Sequence, residues 1–219
     1  MLTLYGVYRS RASRPLWLLG EIGLPFRHVP VIQADRLANP LAASAPLNTA
    51  HSTFLAVNPR GQVPTLAEDG LVLTESLAIT LYIAKRHGGH LGPRDTREDA
   101  LMMKWALFAA TGVEGPAREI LDAIEGHGSE TPAARQIIVA AERRIRPALV
   151  HLEGALGPAP WLVGERFTVA DICVAECLRY AQGHPPLLAG FPTLAGWLAR
   201  CQARPAFMAM LAAQLAEPD

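Results

Sequence analysis

The stretch Asn58–Ser76, NPRGQVPTLAEDGLVLTES, decides the fold of the first half of the chain. Two short apolar runs flank the dipeptide Asp69-Gly70 within it. Asp-Gly between such runs is a strong hairpin signal, because a type I′ turn needs positive φ at both central residues. The sequence therefore predicts a β-hairpin, followed by a helix that runs from Thr74 to Gly88.

Two details of the same stretch predict a binding site. Pro64 cannot donate to a strand ladder, so it favours an edge or the first residue of a strand and leaves the main chain of Val63 to pair with an extended ligand. Thr74-Glu75-Ser76 place a carboxylate, two hydroxyls and unpaired amides at a helix start, which favours a bound carboxylate, with Thr74 as the cap. These groups suit a small peptide that carries both charges, whereas a plain surface hairpin before a capped helix is the alternative.

These residues resemble the glutathione-binding half of the cytosolic glutathione transferases, which combines N-P-x-G-x-V-P-x-L with E-S at a helix start. The resemblance implies a cis peptide before Pro64, with the Val63 main chain on the cysteinyl part of glutathione and Glu75 and Ser76 on its γ-glutamyl end. Glutathione would be a co-substrate, and no metal is implied. Gln62 stands where many members have lysine, so a charged contact to the glycyl carboxylate is absent or supplied elsewhere.

The loop Tyr8–Arg14, YRSRASR, is the main candidate for chemistry. It follows a strand and leads into a helix, so the helix end and three arginines favour an anion. Ser13 fits the N-cap of that helix, which leaves Ser10 as the better hydroxyl for stabilising a bound thiolate. The run S-R-A-x-R-x-L-W also resembles the serine-using transferases, which implies that Ser10 activates the thiol. Ser13 ranks second and Tyr5 or Tyr8 third; ordinary serines among solvated arginines are the alternative.

The chain divides into a mixed half and a helical half. A strand, a helix and a second strand at Phe26–Val31 indicate a parallel pair, and the hairpin adds two more strands. We therefore predict an α/β thioredoxin-like domain with a mixed four-stranded sheet over residues 1–87, and an all-helical (all-α) domain over residues 94–219, joined at Gly88–Pro93. The loop Gln33–Asn48 is longer than compact domains usually carry and is functional or mobile.

The helical half offers a candidate surface and a candidate cap. Large apolar side chains on its first helix favour core packing, whereas the resemblance implies that this helix faces the first domain and lines the electrophile pocket. Thr168 and Asp171 fit the N-cap and N3 positions of a capping box, so a structural role is preferred to a catalytic one. The large side chains are Met102, Trp105 and Phe108.

Composition excludes several classes of protein. The chain has 219 residues, 50% of them hydrophobic, and its 20 basic and 20 acidic residues give no net charge. This describes a globular protein that no net field draws to nucleic acid or anionic lipid. Three cysteines without C-x-x-C and seven scattered histidines favour a reducing compartment, core thiols and no metal site. Without an evident signal peptide or membrane span, we expect a cytoplasmic protein.

The predicted function is conjugation, in which the sulfur of glutathione attacks a small apolar electrophile. A glutathione peroxidase, a dehalogenase and a glutathione-assisted isomerase are alternatives on the same scaffold. A non-enzymatic protein-binding partner is the alternative from another class, and the combined Val63-Pro64, Glu75-Ser76 and loop serine favour an enzyme over it. No cysteine lies in the loop, which argues against glutaredoxin-like disulfide chemistry. The resemblance also implies a homodimer.

Overall fold

The computed structural model describes residues 1–128, 131–157 and 159–217, which form two compact units. Met1–Gly89 and the segment that begins at Pro205 form the first unit, and His90–Arg204 form the second. The expected helical domain, 94–219, therefore differs from the second unit at its end. The physical reason is apolar packing, because the ring of Phe207 meets that of Trp17 at 4.9 Å and both are buried.

The first unit is built on a mixed four-stranded sheet, as predicted. Its strand order is β2-β1-β3-β4, with β1 parallel to β2 and antiparallel to β3. Buried side chains of the sheet and of two helices form the core. Leu4, Leu66, Trp17, Ile79 and Ile83 are each 0% exposed. The elements are β1 (Thr3–Tyr5), α1 (Ser13–Ile22), β2 (Arg27–Val29), α2 (Ser52–Leu55), β3 (Thr65–Glu68), β4 (Leu71–Leu73), α3 (Ser76–His87) and α10 (Pro205–Ala216).

The hairpin predicted at Asp69-Gly70 joins β3 and β4. These strands pair antiparallel, and Glu68 lies opposite Leu71 at the turn. Asp69 has a φ of 49° and Gly70 a φ of 85°, the two positive values that the I′ interpretation requires. β3 is an inner strand, and Pro64 directly precedes its first residue, so the missing N–H costs the ladder nothing.

The regular elements of the second unit are all helical over the residues that the structure describes. A π-helical segment, Ala109–Glu114, connects its first two helices without a break. A short 3₁₀ segment, Arg179–Gly183, follows α7. The helices are α4 (Thr96–Phe108), α5 (Gly115–His127), α6 (Pro132–Leu156), α7 (Val169–Leu178), α8 (Pro185–Leu188) and α9 (Pro192–Gln202).

The capping box predicted before α7 is present and buried. The Thr168 side chain accepts from the amide of Ala170, and the Thr168 amide donates to Asp171 Oδ2 at 2.9 Å. Asp171 Oδ1 accepts from Trp197 Nε1 at 2.9 Å and from the amide of Leu162 at 3.1 Å. Burial raises the pKa of Asp171 above its ordinary value, against the lowering effect of these hydrogen bonds. Asp171 is therefore a structural hub of the helical unit.

The three cysteines are buried in the second unit, which confirms that Cys173 and Cys177 are core residues. Cys173, Cys177 and Cys201 are each 0% exposed. Across the part of the chain that the structure describes, His, Cys, Asp and Glu form no group of three that could hold a metal ion. In the same residues, no helix has the length and apolar character to cross a membrane.

Candidate functional site

A cavity of about 580 Å³ opens in the first unit beside the stretch that decides the fold. Three segments form its wall: the loop before α1, the chain between β2 and β3, and the start of α3. All five residues predicted to hold glutathione belong to this wall, and so does Ser10. The other candidates for the thiol, Ser13, Tyr5 and Tyr8, lie outside it. The wall consists of Ser10, Arg11, Gln33, Ala34, Asp35, Thr49, Gly61, Gln62, Val63, Pro64, Thr74, Glu75 and Ser76.

The turn that brings Val63 to the cavity is built by the N-P-x-G motif. Asn58 is buried, and its Nδ2 donates to the main-chain oxygen of Gln62 at 2.9 Å. Gly61 has a φ of 58°, and a Cβ at this position would lie 2.7 Å from the main-chain oxygen of Thr49. Only glycine fits there. The motif therefore fixes the approach of the chain to β3.

The main chain of Val63 lies beyond the sheet ladder. The pairing of β1 with β3 ends at Tyr5 and Thr65, and the Val63-Pro64 peptide is cis. Val63 is half-buried and lines the cavity. Its N–H and C=O are placed where an extended ligand can pair with them as an added strand does.

The start of α3 presents uncapped amides at the cavity. Glu75 is the N-cap residue, with φ 68° and ψ 110°, and no side chain forms a capping hydrogen bond there. The expectation that Thr74 caps this helix is wrong, because the helix begins one residue later than that role requires. A non-glycine residue held at positive φ is strained, and such strain concentrates at ligand sites. The free amides carry the positive end of the helix dipole.

Ser76 is oriented by a buried arginine. Arg14 is 2% exposed, and its Nη1 donates to Ser76 Oγ at 2.8 Å. This bond uses a lone pair of the hydroxyl, so the Ser76 proton can still be donated to a ligand. The sequence analysis counted Arg14 among the arginines that favour an anion at the loop. In the structure, it supports Ser76 from behind and does not line the cavity.

The two candidate serines differ from their expected structural roles. Ser13 is the first residue of α1, not its N-cap, and is 2% exposed; the N-cap is Ala12, so that expectation is wrong. Ser10 instead stabilises the turn, since its Oγ donates to the Val7 oxygen at 2.7 Å and accepts from the Ala12 amide at 3.0 Å. Ser10 also lines the cavity, whereas Ser13 does not.

The wall contains charges of both signs. Arg11 contributes a guanidinium, and Asp35 and Glu75 contribute carboxylates; all three residues are exposed. Positive and negative groups in one cavity suit a ligand that is itself zwitterionic. The amides of α3 add a further positive element at the Glu75 side.

The wall also contains residues that no motif predicted. Gln33, Ala34 and Asp35 open the long loop, and the Ala34 amide donates to Thr49 Oγ1 at 2.9 Å, which ties the start of the loop to its end. The one available signal was the unusual length of Gln33–Asn48. That length predicted a function or mobility, without identifying individual side chains.

The residues predicted for an electrophile pocket lie in the helical unit, where the rings of Trp105 and Phe108 pack on each other. Met102 is 1% and Trp105 is 4% exposed, and Phe108 is half-buried. Trp105 Nε1 donates to the main-chain oxygen of Leu162 at 3.0 Å. Its ring meets Phe108 edge-on at 5.6 Å and stacks on His151 at 5.4 Å. Core packing accounts for these contacts, and the pocket role stays a prediction.

Comparisons with known proteins agree with this geometry. Residues 8–86 match the family model described as "Glutathione S-transferase, N-terminal domain", and residues 100–205 match "Glutathione S-transferase, C-terminal domain". The disulfide-bond oxidoreductase YfcG of Escherichia coli (strain K12) is 33% identical over 175 residues, which are 75% of this chain and 78% of that protein.

Two solved structures share the fold over nearly the whole chain. Glutathione transferase F7 from Populus trichocarpa is 27% identical with a TM-score of 0.78, covering 98% of this chain and 99% of its own. The theta class glutathione S-transferase from Xanthomonas axonopodis pv. citri, solved with glutathione bound, is 29% identical with a TM-score of 0.75, covering 95% of each chain. The family models together span most of the sequence, and the chain therefore belongs to the glutathione S-transferase family.

Proposed function

We propose that this protein binds glutathione in the cavity of the first unit and catalyses formation of a bond between the glutathione sulfur and small apolar electrophiles. The observation that carries the proposal is the convergence of four features on one cavity: the Val63 main chain, the uncapped start of α3, a hydroxyl from Ser10 and charges of both signs. The relative from Xanthomonas axonopodis, whose structure contains glutathione, supports the choice of ligand.

The wall offers charged and polar partners to glutathione, which carries one ammonium, two carboxylates and a thiol. Glu75 is proposed to pair with the ammonium, while the Ser76 hydroxyl and the α3 amides donate hydrogen bonds to the γ-glutamyl carboxylate. The Val63 main chain pairs with the cysteinyl unit. Gln62 offers an uncharged amide to the glycyl end. Arg11 is the cation of the described wall that can supply the charge that Gln62 lacks.

Ser10 is proposed to stabilise the thiolate. A hydroxyl carries one proton, which Ser10 donates to the Val7 oxygen in this structure, so a bound sulfur must compete with that oxygen for it. The amide-rich loop and the nearby Arg11 favour the charged sulfur as well. The thiolate then forms a C–S bond to the electrophile, whose leaving group departs with its bonding pair or whose activated double bond takes up a proton.

Disulfide exchange is a second candidate reaction, favoured by the similarity to the disulfide-bond oxidoreductase YfcG. The loop contains serines and no cysteine, so glutathione itself must supply both attacking thiolates. One glutathione thiolate attacks the disulfide and releases a thiol, and a second attacks the mixed disulfide, giving oxidised glutathione and two product thiols. This route needs the same thiolate-stabilising cavity.

Further properties are proposed from family membership and from the sequence. We propose a homodimer in the cytoplasm that has no nucleic-acid or membrane partner, with Met102, Trp105 and Phe108 contributing to the electrophile site. Light scattering at micromolar concentration should give a particle of twice 23.6 kDa. A particle of 23.6 kDa would contradict the dimer.

The experiment that tests the proposal combines binding with a reaction panel. Calorimetry should show saturable binding of glutathione and no binding of a peptide that lacks the γ-glutamyl group. The panel contains chlorodinitrobenzene, an isothiocyanate, an organic hydroperoxide and a small alkyl disulfide, each with glutathione. Turnover of the first two supports conjugation, and turnover of the disulfide alone moves the assignment to exchange. A protein that binds no glutathione contradicts both.

A further inference from the structure

A carboxylate that follows the last helix closes onto the loop that carries Ser10. Glu217 lies directly after α10, in the same compact unit as the loop. Its Oε1 accepts from the Tyr8 amide at 2.7 Å, and its Oε2 accepts from the Arg9 amide at 2.8 Å. Arg9 Nη1 also donates to the Glu217 main-chain oxygen at 3.3 Å. Each oxygen of the carboxylate thus takes one of two successive N–H groups, in charge-assisted bonds.

The helix that delivers this carboxylate is firmly packed. On α10, Phe207 and Met210 are each 3% exposed, and the Phe207 ring contacts Trp17 of α1. At Gly20 of α1, an added Cβ would lie 3.4 Å from the Cβ of Ala206, so the two helices approach closely. α10 has 12 residues, so it forms a rigid arm about 18 Å long that ends at Glu217.

Hydrogen bonds within the loop close a turn at Ser10. There, Ser10 Oγ bonds to the Val7 oxygen and the Ala12 amide, and the Ser13 amide donates to the Ser10 oxygen at 3.1 Å. The Tyr8 and Arg9 amides, which precede Ser10, donate instead to the Glu217 carboxylate. A half-buried main-chain N–H needs such a partner. Ser10 is therefore held by its own turn on one side and by Glu217 on the other.

We propose that Glu217 is a positioning residue for the reaction: it holds the Tyr8–Arg9 main chain so that the Ser10 hydroxyl stays within reach of the sulfur bound in the cavity. The catalytic consequence rests on the proposed function, whereas the clamp itself rests on the three hydrogen bonds. Displacement of a catalytic group by about 1 Å can cost about 100-fold in rate. A loop that lacks this carboxylate should lose activity without losing the glutathione wall.

Two substitutions separate the effects of the carboxylate. Glu217→Ala removes both acceptors. Glu217→Gln keeps one acceptor oxygen but turns an NH₂ group toward the other amide, so it breaks one of the two bonds. Leu215→Ala is the matched control, because Leu215 lies near the same end of α10, is 75% exposed and is not among the residues of the cavity wall.

Hydrogen exchange tests the clamp without reference to activity. In the full-length protein, exchange of the Tyr8 and Arg9 amides should be at least about 10-fold faster in Glu217→Ala than in wild type, because these amides lose their acceptor. Leu215→Ala should exchange as the wild type does. Equal exchange in wild type and Glu217→Ala would overturn the inference.

Kinetics and the titration of bound glutathione test the catalytic consequence. Glu217→Ala should lower kcat by about 10- to 100-fold and raise the pKa of the bound thiol, while KM for glutathione changes less than about 2-fold. Glu217→Gln should lie between Glu217→Ala and wild type. Faster exchange with an unchanged kcat and thiol pKa would make the clamp purely structural and overturn the inference. A wild type that binds no glutathione overturns the proposed function, and the exchange measurement still decides whether the clamp exists.

Discussion

Helices begin in two ways in this protein, with or without a side-chain cap. In the helical unit, Asp95, Thr131 and Thr168 each accept a hydrogen bond from a first-turn amide of α4, α6 and α7. At the cavity of the first unit, α3 begins at Glu75 with no side-chain cap. The capped starts satisfy their amides within the protein, whereas the start of α3 leaves amides and the positive end of the helix dipole available at the cavity. The capped starts therefore contribute to stability, and we propose that the start of α3 contributes to recognition.

The start of α9 shows what a carboxylate does at such an end in this protein. Glu153 of α6 accepts from the amides of Thr193 at 3.0 Å and Leu194 at 2.7 Å. Burial opposes the ionisation of Glu153, but the hydrogen bonds from these amides outweigh it and hold its pKa below the ordinary value. Glu153 thus occupies the start of α9 in the way that we propose for the γ-glutamyl carboxylate at the start of α3.

The largest expected effect is on stability, at the capped start of α7 in the helical unit. Asp171→Ala should destabilise the protein by roughly 3–5 kcal/mol, because the indole N–H of Trp197 and the amide of Leu162 lose their buried acceptor and the α7 cap is lost as well. Urea denaturation would measure it, with Thr168→Ser, which keeps the capping hydroxyl, as the control. A loss below about 1 kcal/mol would contradict the role of Asp171 as a hub.

The next largest effect is on glutathione binding at the uncapped start of α3. Glu75→Ala should weaken glutathione binding by about 1.5–3 kcal/mol, the usual contribution of a hydrogen bond to a charged group. Unfolding should change less, because Glu75 makes no capping bond that could be lost. Calorimetry and urea denaturation of the same sample separate the two quantities. Normal folding with wild-type affinity would remove Glu75 from the site.

Acid should lower the stability of the protein by disrupting the ion pair between Glu98 and Arg166 of the helical unit. The hydrogen bond from Arg166, at 2.6 Å from Nη2 to Oε2, is the main reason that the pKa of Glu98 is lowered to about 2. A carboxyl group whose pKa is lower in the folded state than in the unfolded state stabilises the protein at pH values above the unfolded-state pKa. This stabilisation is lost as the pH falls toward 2. Allowing for partial solvent access, we expect about 1–2 kcal/mol to disappear between about pH 5 and 2. In Glu98→Gln, this part of the pH dependence should vanish; an unchanged acid profile would count against the pair.

The smallest expected effect is on stability. It separates backbone strain at Glu75 from the proposed role of its side chain in binding. Glu75 is held at φ 68°, which glycine adopts without strain. Glu75→Gly should therefore stabilise the protein by about 1 kcal/mol, the strain relieved less the entropy that glycine adds to the unfolded chain. Glutathione affinity should fall as in Glu75→Ala. A variant that is less stable than Glu75→Ala would show that the backbone there is not strained.

The sequence predicted the parts of the site that depend on local rules. Asp69-Gly70 specified the hairpin, and Val63-Pro64 and Glu75-Ser76 specified two segments of the cavity wall. The structural roles of Ser10 and Ser13 were not predictable, because both lie near the start of α1 and only the three-dimensional turn decides which hydroxyl meets which amide. The pairing of Arg14 with Ser76 and of Tyr8 with Glu217 was equally hidden, since those partners are 62 and 209 residues apart.

The central claim is that the cavity holds glutathione as a thiolate stabilised by Ser10, and titration of the bound thiol by its thiolate absorbance tests it most directly. A free thiol has a pKa near ~8.5, and we expect binding to wild type to lower it by about two units, or roughly 2.7 kcal/mol. In Ser10→Ala, the pKa of the bound thiol should rise by about one to two units, since a single charge-assisted hydrogen bond supplies about 1.5–3 kcal/mol. Ser13→Ala should titrate as the wild type does. An unchanged thiol pKa in Ser10→Ala would contradict the claim, and a raised one in Ser13→Ala alone would assign the role to Ser13.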